Sequence, residues 1–189
     1  MAERVCPPWM GYWLANPLRK LFQNPRKILG DHVKPGMTVL DIGCAMGFFS
    51  LGMAKMVGEK GKVIAVDLQE EMIEGLKKRT NRAGLSGRIE PRICSADSLR
   101  LTDLAGQIDF ALAFYVVHEV PNPTALFTEI YQALKSGGIL YVVEPKGHVV
   151  EAGYKEMEAI AQSCGLKIAS TRKPPFERAT FFEKPLLDR

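Results

Sequence analysis

The run Thr38-Val39-Leu40-Asp41-Ile42-Gly43-Cys44-Ala45-Met46-Gly47-Phe48-Phe49 puts a carboxylate near the end of an apolar stretch and follows it with a glycine-spaced loop. A loop of that form, between the carboxyl end of a strand and the start of a helix, holds a nucleoside-bearing small molecule. Asp41 sets the sign of the ligand. In a dinucleotide site the loop amides and helix N-terminus face a pyrophosphate, which a carboxylate in the turn repels. A ligand with a cationic end and no phosphate suits the acid instead. S-adenosylmethionine, with its sulfonium, amine, carboxylate and adenosine, is of that kind: Asp41 attracts the cationic end while loop amides meet the carboxylate.

A second group of reactive residues follows Phe114. His118 is the first candidate for a general base, because an imidazole near its ordinary value of about 6.5 exchanges protons around neutrality. Glu119 is the second, with Tyr115 and Glu144 behind them. A hydroxyl or protonated amine that attacks a methyl donor needs such a base. A thiol or arsenite, with its own lone pair, does not. The plain alternative for His118 is a contact that satisfies loop backbone. Cys6, Cys44, Cys94 and Cys164 are scattered without a CxxC pair, so they read as free thiols; no metal site is expected.

These residues need a scaffold of alternating strands and helices, which the hydrophobic pattern supplies. After the Pro35-Gly36 turn, strands are expected at Thr38–Ile42, Lys62–Val66 (ending in Asp67), Arg88–Ile93, Ile108–Phe114 and Ile139–Glu144. Helices are expected at Gly47–Val57, Glu70–Ala83, Thr124–Leu134 and Glu151–Cys164. Lys135-Ser136-Gly137-Gly138 reads as a turn. Leu166–Thr171 and the apolar run Ala179–Phe182 read as a closing antiparallel hairpin on the sheet edge. The fourth strand is nearly all apolar, as befits a central strand covered on both faces.

The chain has 189 residues, 47% of them hydrophobic, which suits one domain with a sizeable core. A net charge of +4 is too mild to name a partner, and Arg19, Lys20, Arg26 and Lys27 read as a solvated helix face. No apolar run is long enough to span a bilayer and no leader pattern is visible, so a cytoplasmic protein is expected. Residues 1–34 form an aromatic and helical segment, with Trp9, Tyr12 and Trp13 followed by Leu18, Leu21, Phe22, Ile28 and Leu29; it serves as a lid or a strap to residues 35–189.

The segments VLDIGCAMG, VIAVD, SADSL, IDFALAFYVVHEV and LKSGGILYVVEP together resemble the class I S-adenosylmethionine-dependent methyltransferases, in the ubiquinone/menaquinone-biosynthesis-like group. The resemblance implies a doubly wound α/β fold. Its mainly parallel seven-stranded sheet has the order 3-2-1-4-5-7-6, with the last strand antiparallel and helices on both faces. It further implies that Asp41, Gly43, Cys44, Ala45 and Gly47 cradle the methionine part of the cofactor. Asp67 receives both ribose hydroxyls, Leu68 packs on the adenine with Met72 nearby, and Asp97, flanked by Ala96 and Ser98, accepts from the adenine amine. Ala113 and Phe114 lie beside the methionyl group. The family usually has a glycine where this chain has Ala45; at positive φ that alanine weakens cofactor binding and favours a non-catalytic role.

Plainer roles exist for several of these residues. Asp67 can cap the helix that begins at Glu70, Asp97 can stabilise a turn, and Phe48, Phe49 and Met53 fit a core. The leading expectation is a methyltransferase for a small-molecule acceptor, monomeric or homodimeric. An RNA or protein methyltransferase and a cofactor-binding partner subunit are the alternatives. Phe114-Tyr115-Val116-Val117 stands where an amino-directed nucleic-acid enzyme has NPPY, and the missing GxGxxG disfavours a dinucleotide oxidoreductase.

Overall fold

The computed structural model describes residues 23–172 and 174–186. The expectations for Cys6, Trp9, Tyr12, Trp13, Leu18, Arg19, Lys20, Leu21 and Phe22 lie outside the described residues. Two compact units divide the chain at Cys94 and Ser95.

The first unit begins with helix α1, Pro25–Leu29, whose Asn24 cap accepts the Arg26 N–H at 3.0 Å and whose first position is a proline. Arg26 and Lys27 are exposed, as a solvated face requires. Strand β1 is Thr38–Ile42, helix α2 Phe48–Val57, strand β2 Lys62–Asp67, helix α3 Glu70–Arg82 and strand β3 Ile89–Ile93. The strands are parallel, with Thr38 opposite Lys62, Ile42 opposite Val66, and Asp67 opposite Ile93. Helix α3 buries Met72, Ile73, Leu76 and Thr80, and places Glu70 and Glu71 in its first turn and Arg79 and Arg82 in its last, each sign matching the helix dipole.

The second unit holds strand β4, Ile108–Phe114, helix α4, Pro123–Ala133, strand β5, Leu134–Pro145, helix α5, Glu151–Ser163, and strands β6, Lys167–Arg172, and β7, Glu177–Glu183. Helix α4 starts at the proline after Asn122, whose side chain accepts the Ala125 N–H at 3.0 Å. β5 runs parallel to β4 and antiparallel to β7, and β7 is antiparallel to β6. Tyr141 on β5 faces Phe181 on β7, and their rings stack at 3.9 Å, a cross-strand pair that pins this register. All six residues of the edge strand β6 are exposed, including Lys167 and Arg172, charges that discourage pairing with another edge. The strand order is β3-β2-β1-β4-β5-β7-β6 with β7 antiparallel, as the resemblance implies.

One expectation is corrected. β5 begins at Leu134 rather than at Ile139 and takes Lys135–Gly138 in as a bulge: Ile108 pairs with Leu134 and Phe110 with Ile139, so residues 135–138 sit opposite Asp109 alone. Gly137, at φ 75°, donates its N–H to the Lys184 carbonyl at 2.8 Å, and Lys184 donates back to Gly138 at 2.9 Å. The chain after β7 thus carries the ladder across the bulge.

Candidate functional site

In the first unit the chemistry gathers at the carboxyl ends of β1 and β2. Asp41 is 3% exposed, and its Oδ2 accepts the Ser50 hydroxyl at 2.5 Å from the first turn of α2. The loop between them is left-handed at Gly43 (φ 65°), Ala45 (φ 45°) and Gly47 (φ 80°). Glycine suits position 47 because its φ of 80° strains any L side chain and because a Cβ there would press on the Leu76 and Leu51 side chains. The Arg79 guanidinium, on α3, donates to the Met46 carbonyl and ties the same loop down. Three of the loop amides have partners within the protein. The Cys44 N–H goes to the Val66 carbonyl at 3.0 Å, Ala45 to Asp67 Oδ2 at 2.8 Å, and Gly47 to the Cys44 carbonyl at 2.8 Å.

Asp67 has a double role. Its Oδ2 holds Ala45, and its Oδ1 accepts the N–H of Gln69, the residue that caps α3, at 3.0 Å. Burial pushes its carboxyl above the ordinary carboxylate value, against the pull of the backbone N–H groups of Gln69, Ala45 and Leu68. The plain capping role is therefore present, yet a carboxylate has about four lone-pair sites and these two bonds occupy one on each oxygen. Leu68, 40% exposed, and Ile93, 41% exposed, present apolar surface at the ends of β2 and β3. Ile93 was not singled out in the sequence; an apolar residue at the carboxyl end of an edge strand is the signal that points to it. Met72 is buried. The Cys44 thiol is pushed well up by burial, then by Asp41 and Asp67, so it stays protonated and is no nucleophile. Cys44 and Cys164 are free thiols, and no metal-ligating cluster occurs among the described residues.

The second unit carries the other candidates. Ser95 and Ser98 pair across a tight turn, N–H to carbonyl at 2.9 and 3.3 Å, leaving Ala96 and Asp97 exposed at its tip. Ser98 Oγ accepts the Arg100 N–H at 3.0 Å. Ala113 and Phe114 end β4 buried, and Tyr115 follows at φ 62°, a left-handed conformation that a tyrosine adopts only under constraint. Its N–H reaches the Val143 carbonyl at 2.8 Å, and its hydroxyl donates to Glu177. His118 and Glu119 lie in the short 3₁₀ turn Val117–Glu119, both half-buried, with His118 Nδ1 2.5 Å from Glu144 Oε2. Elsewhere the buried Glu158 is satisfied by Thr180 at 2.7 Å and Lys155 at 2.8 Å, and Tyr154 donates to Thr180 at 3.0 Å. That network joins α5 to β7 and serves the fold.

The strand order, with Asp41 in β1 and the glycine loop after it, defines a class I S-adenosylmethionine-dependent methyltransferase. Residues 33–180 match the family model described as a methyltransferase domain, and the chain belongs to that family, whose cofactor is S-adenosylmethionine. It is similar to the ubiquinone/menaquinone biosynthesis C-methyltransferase UbiE of Hydrogenovibrio crunogenus, 31% identical over 112 residues that make up 59% of this chain and 43% of that protein. The chain spans half or less of the curated relatives it matches, at 43%, 35% and 50% of their lengths. The crystal structure of a SAM dependent methyltransferase from Aquifex aeolicus superposes with a TM-score of 0.85 at 26% identity, covering 95% of this chain and 100% of that one. A TehB-like SAM-dependent methyltransferase from Corynebacterium glutamicum shares the fold, with a TM-score of 0.74 at 15% identity over 94% of this chain and 100% of that one. No helix among the described residues is long and apolar enough to cross a membrane.

Proposed function

We propose that this chain binds S-adenosylmethionine and transfers its methyl group to a small-molecule acceptor. One observation carries the reading: Asp41, one residue before the end of β1, and Asp67, the last residue of the adjoining parallel strand β2, are both buried beside a loop with three left-handed residues. Buried acids of this kind favour a ligand with a cationic end and hydroxyl donors and disfavour one with phosphates. Asp41, Gly43, Cys44, Ala45 and Gly47 are assigned to the methionine end and Asp67 to the ribose. Leu68, joined by Ile93 and backed by Met72, is assigned to the adenine face. Asp97, with Ala96 and Ser98, is assigned to the adenine amine, and Ala113 and Phe114 to the methionyl side. When bound, the cofactor supplies an electrophilic methyl group whose bond to sulfur breaks, its electron pair left on sulfur, as the acceptor atom bonds to carbon.

The protein's share is alignment, exclusion of water and removal of a proton. His118 is assigned as the general base, with Glu119 second. Relatives named for C-methylation in ubiquinone and menaquinone biosynthesis favour a small acceptor, and a cytoplasmic location belongs to the same reading. The test is release of S-adenosylhomocysteine when the protein and cofactor meet metabolite fractions separated into lipid, quinone, amine, thiol and RNA pools. Turnover in a small-molecule pool supports the reading, and turnover in the RNA pool alone overturns it.

A second reading, a cofactor-binding partner subunit without catalysis, is favoured by Ala45. Its φ of 45° meets the condition under which an alanine weakens the cofactor loop, at a cost of about 1–2 kcal/mol. The Ala45 hydrogen bond to Asp67 offsets part of that cost, and the two readings separate on whether any fraction yields S-adenosylhomocysteine.

A further inference from the structure

Glu144 ends β5 at 1% exposure, a place where an ionised carboxylate survives only with donors on its oxygens. Its Oε1 accepts the Val117 N–H at 2.8 Å, and its Oε2 lies 2.5 Å from His118 Nδ1. Both partners come from neighbouring residues of one 3₁₀ turn, so the backbone bond stops the acid from rotating away from the ring. The His148 ring stands edge-on to the imidazole at 5.5 Å and 78° and steadies its plane. A carboxylate accepts hydrogen bonds and cannot donate them, so an ionised Glu144 calls for the hydrogen on Nδ1, and a neutral imidazole then has its lone pair on Nε2. A histidine that merely fills a loop does not call for a buried acid at this end of β5, because burying that acid carries a desolvation cost.

We infer that Glu144 is a positioning residue that fixes His118 in its Nδ1–H form, with Nε2 as the proton-accepting atom, and that the acceptor is of the class that sheds a proton as it is methylated, for which an oxygen acceptor such as a phenol is the probe. This rests on the assignment of His118 as the base. As the acceptor oxygen bonds to the methyl carbon, its O–H proton passes to Nε2. The imidazolium that forms is stabilised by the Glu144 charge and returns the proton to solvent afterwards. A thiolate acceptor brings its lone pair ready-made and has no use for the arrangement.

Glu144→Gln tests this with little change of shape. The amide oxygen can keep the Val117 N–H while the amide NH₂ faces Nδ1, which moves the ring proton to Nε2 and removes the lone pair there. In the full chain, the ¹⁵N shifts of His118 are expected to report Nδ1–H in the wild type and Nε2–H in the variant. Methylation of a panel of simple phenols is expected to fall by about 10²–10⁴-fold, with cofactor affinity unchanged. An Nε2–H ring in the wild type, or the same tautomer in both proteins, overturns the role of Glu144. Methylation of thiols but not phenols by the wild type overturns the acceptor class. Full turnover in His118→Ala alongside an intact tautomer switch overturns the assignment of the base instead, so the two failures are distinguishable.

Discussion

The Ala45 N–H reaches Asp67 Oδ2 at 2.8 Å, so the loop after β1 is pinned by the acid that ends β2. Replacing that acid by its amide tests the link. Asp67→Asn keeps one acceptor and turns an N–H toward either Ala45 or Gln69, so one of the two backbone donors loses its partner. A stability loss of about 1–3 kcal/mol is expected in chemical denaturation, together with at least tenfold weaker cofactor binding in calorimetry.

The same side chain makes stability depend on pH. Burial raises the Asp67 carboxyl above its ordinary value, so between the two values the folded state holds more proton than the unfolded one. The penalty for burying its charge is absent below the ordinary carboxylate value and grows as pH rises through the raised one. The slope of unfolding free energy against pH is accordingly expected to be more negative in wild type than in Asp67→Asn across that window. Parallel slopes would remove Asp67 as a source of the dependence.

Ala45 stands left-handed where glycine is at ease. Ala45→Gly relieves about 1–2 kcal/mol of backbone strain but adds freedom to the unfolded chain worth about 0.4–1 kcal/mol. A small gain in melting temperature and tighter cofactor binding are expected, and a loss of both would show that the Cβ itself contributes.

Gly47 tolerates no such exchange. Its φ of 80° and the 2.2 Å approach of a built Cβ to Leu76 both act against Gly47→Ala, for which a loss of about 2–4 kcal/mol is expected. Truncating Leu76 as well should recover part of that loss in a double-mutant cycle.

Ser50 offers a milder probe of Asp41. Ser50→Ala takes the hydroxyl from a buried carboxylate oxygen, at an expected cost of about 1–3 kcal/mol, and should weaken cofactor binding less than Asp41→Ala does.

The strands that position these residues were readable because each apolar run ends at a chemical boundary. β1 stops at the glycine loop, β2 at Asp67 and β4 at the Phe114-Tyr115 step, and their observed limits coincide with the expected ones. The inclusion of Lys135–Gly138 in β5 was not readable, because two glycines and a lysine spell a turn locally, and the pairing of Gly137 and Gly138 with Lys184 that ties them into the sheet is distant in sequence. The partners of the loop amides depend likewise on where Val66 and Asp67 fall in the neighbouring strand. Glu144 was visible as an acid before Pro145, but its hold on His118 follows from the position of the 3₁₀ turn beyond β4, which no local pattern encodes.

Calorimetric titration of the full chain with S-adenosylmethionine bears most directly on the central claim. One saturable site below about 1 mM is expected, the range in which enzymes commonly meet their substrates, and it should weaken at least tenfold in Asp67→Asn while that variant remains folded. No heat of binding from the cofactor or from S-adenosylhomocysteine up to that concentration, or equal affinity in both proteins, would contradict the account.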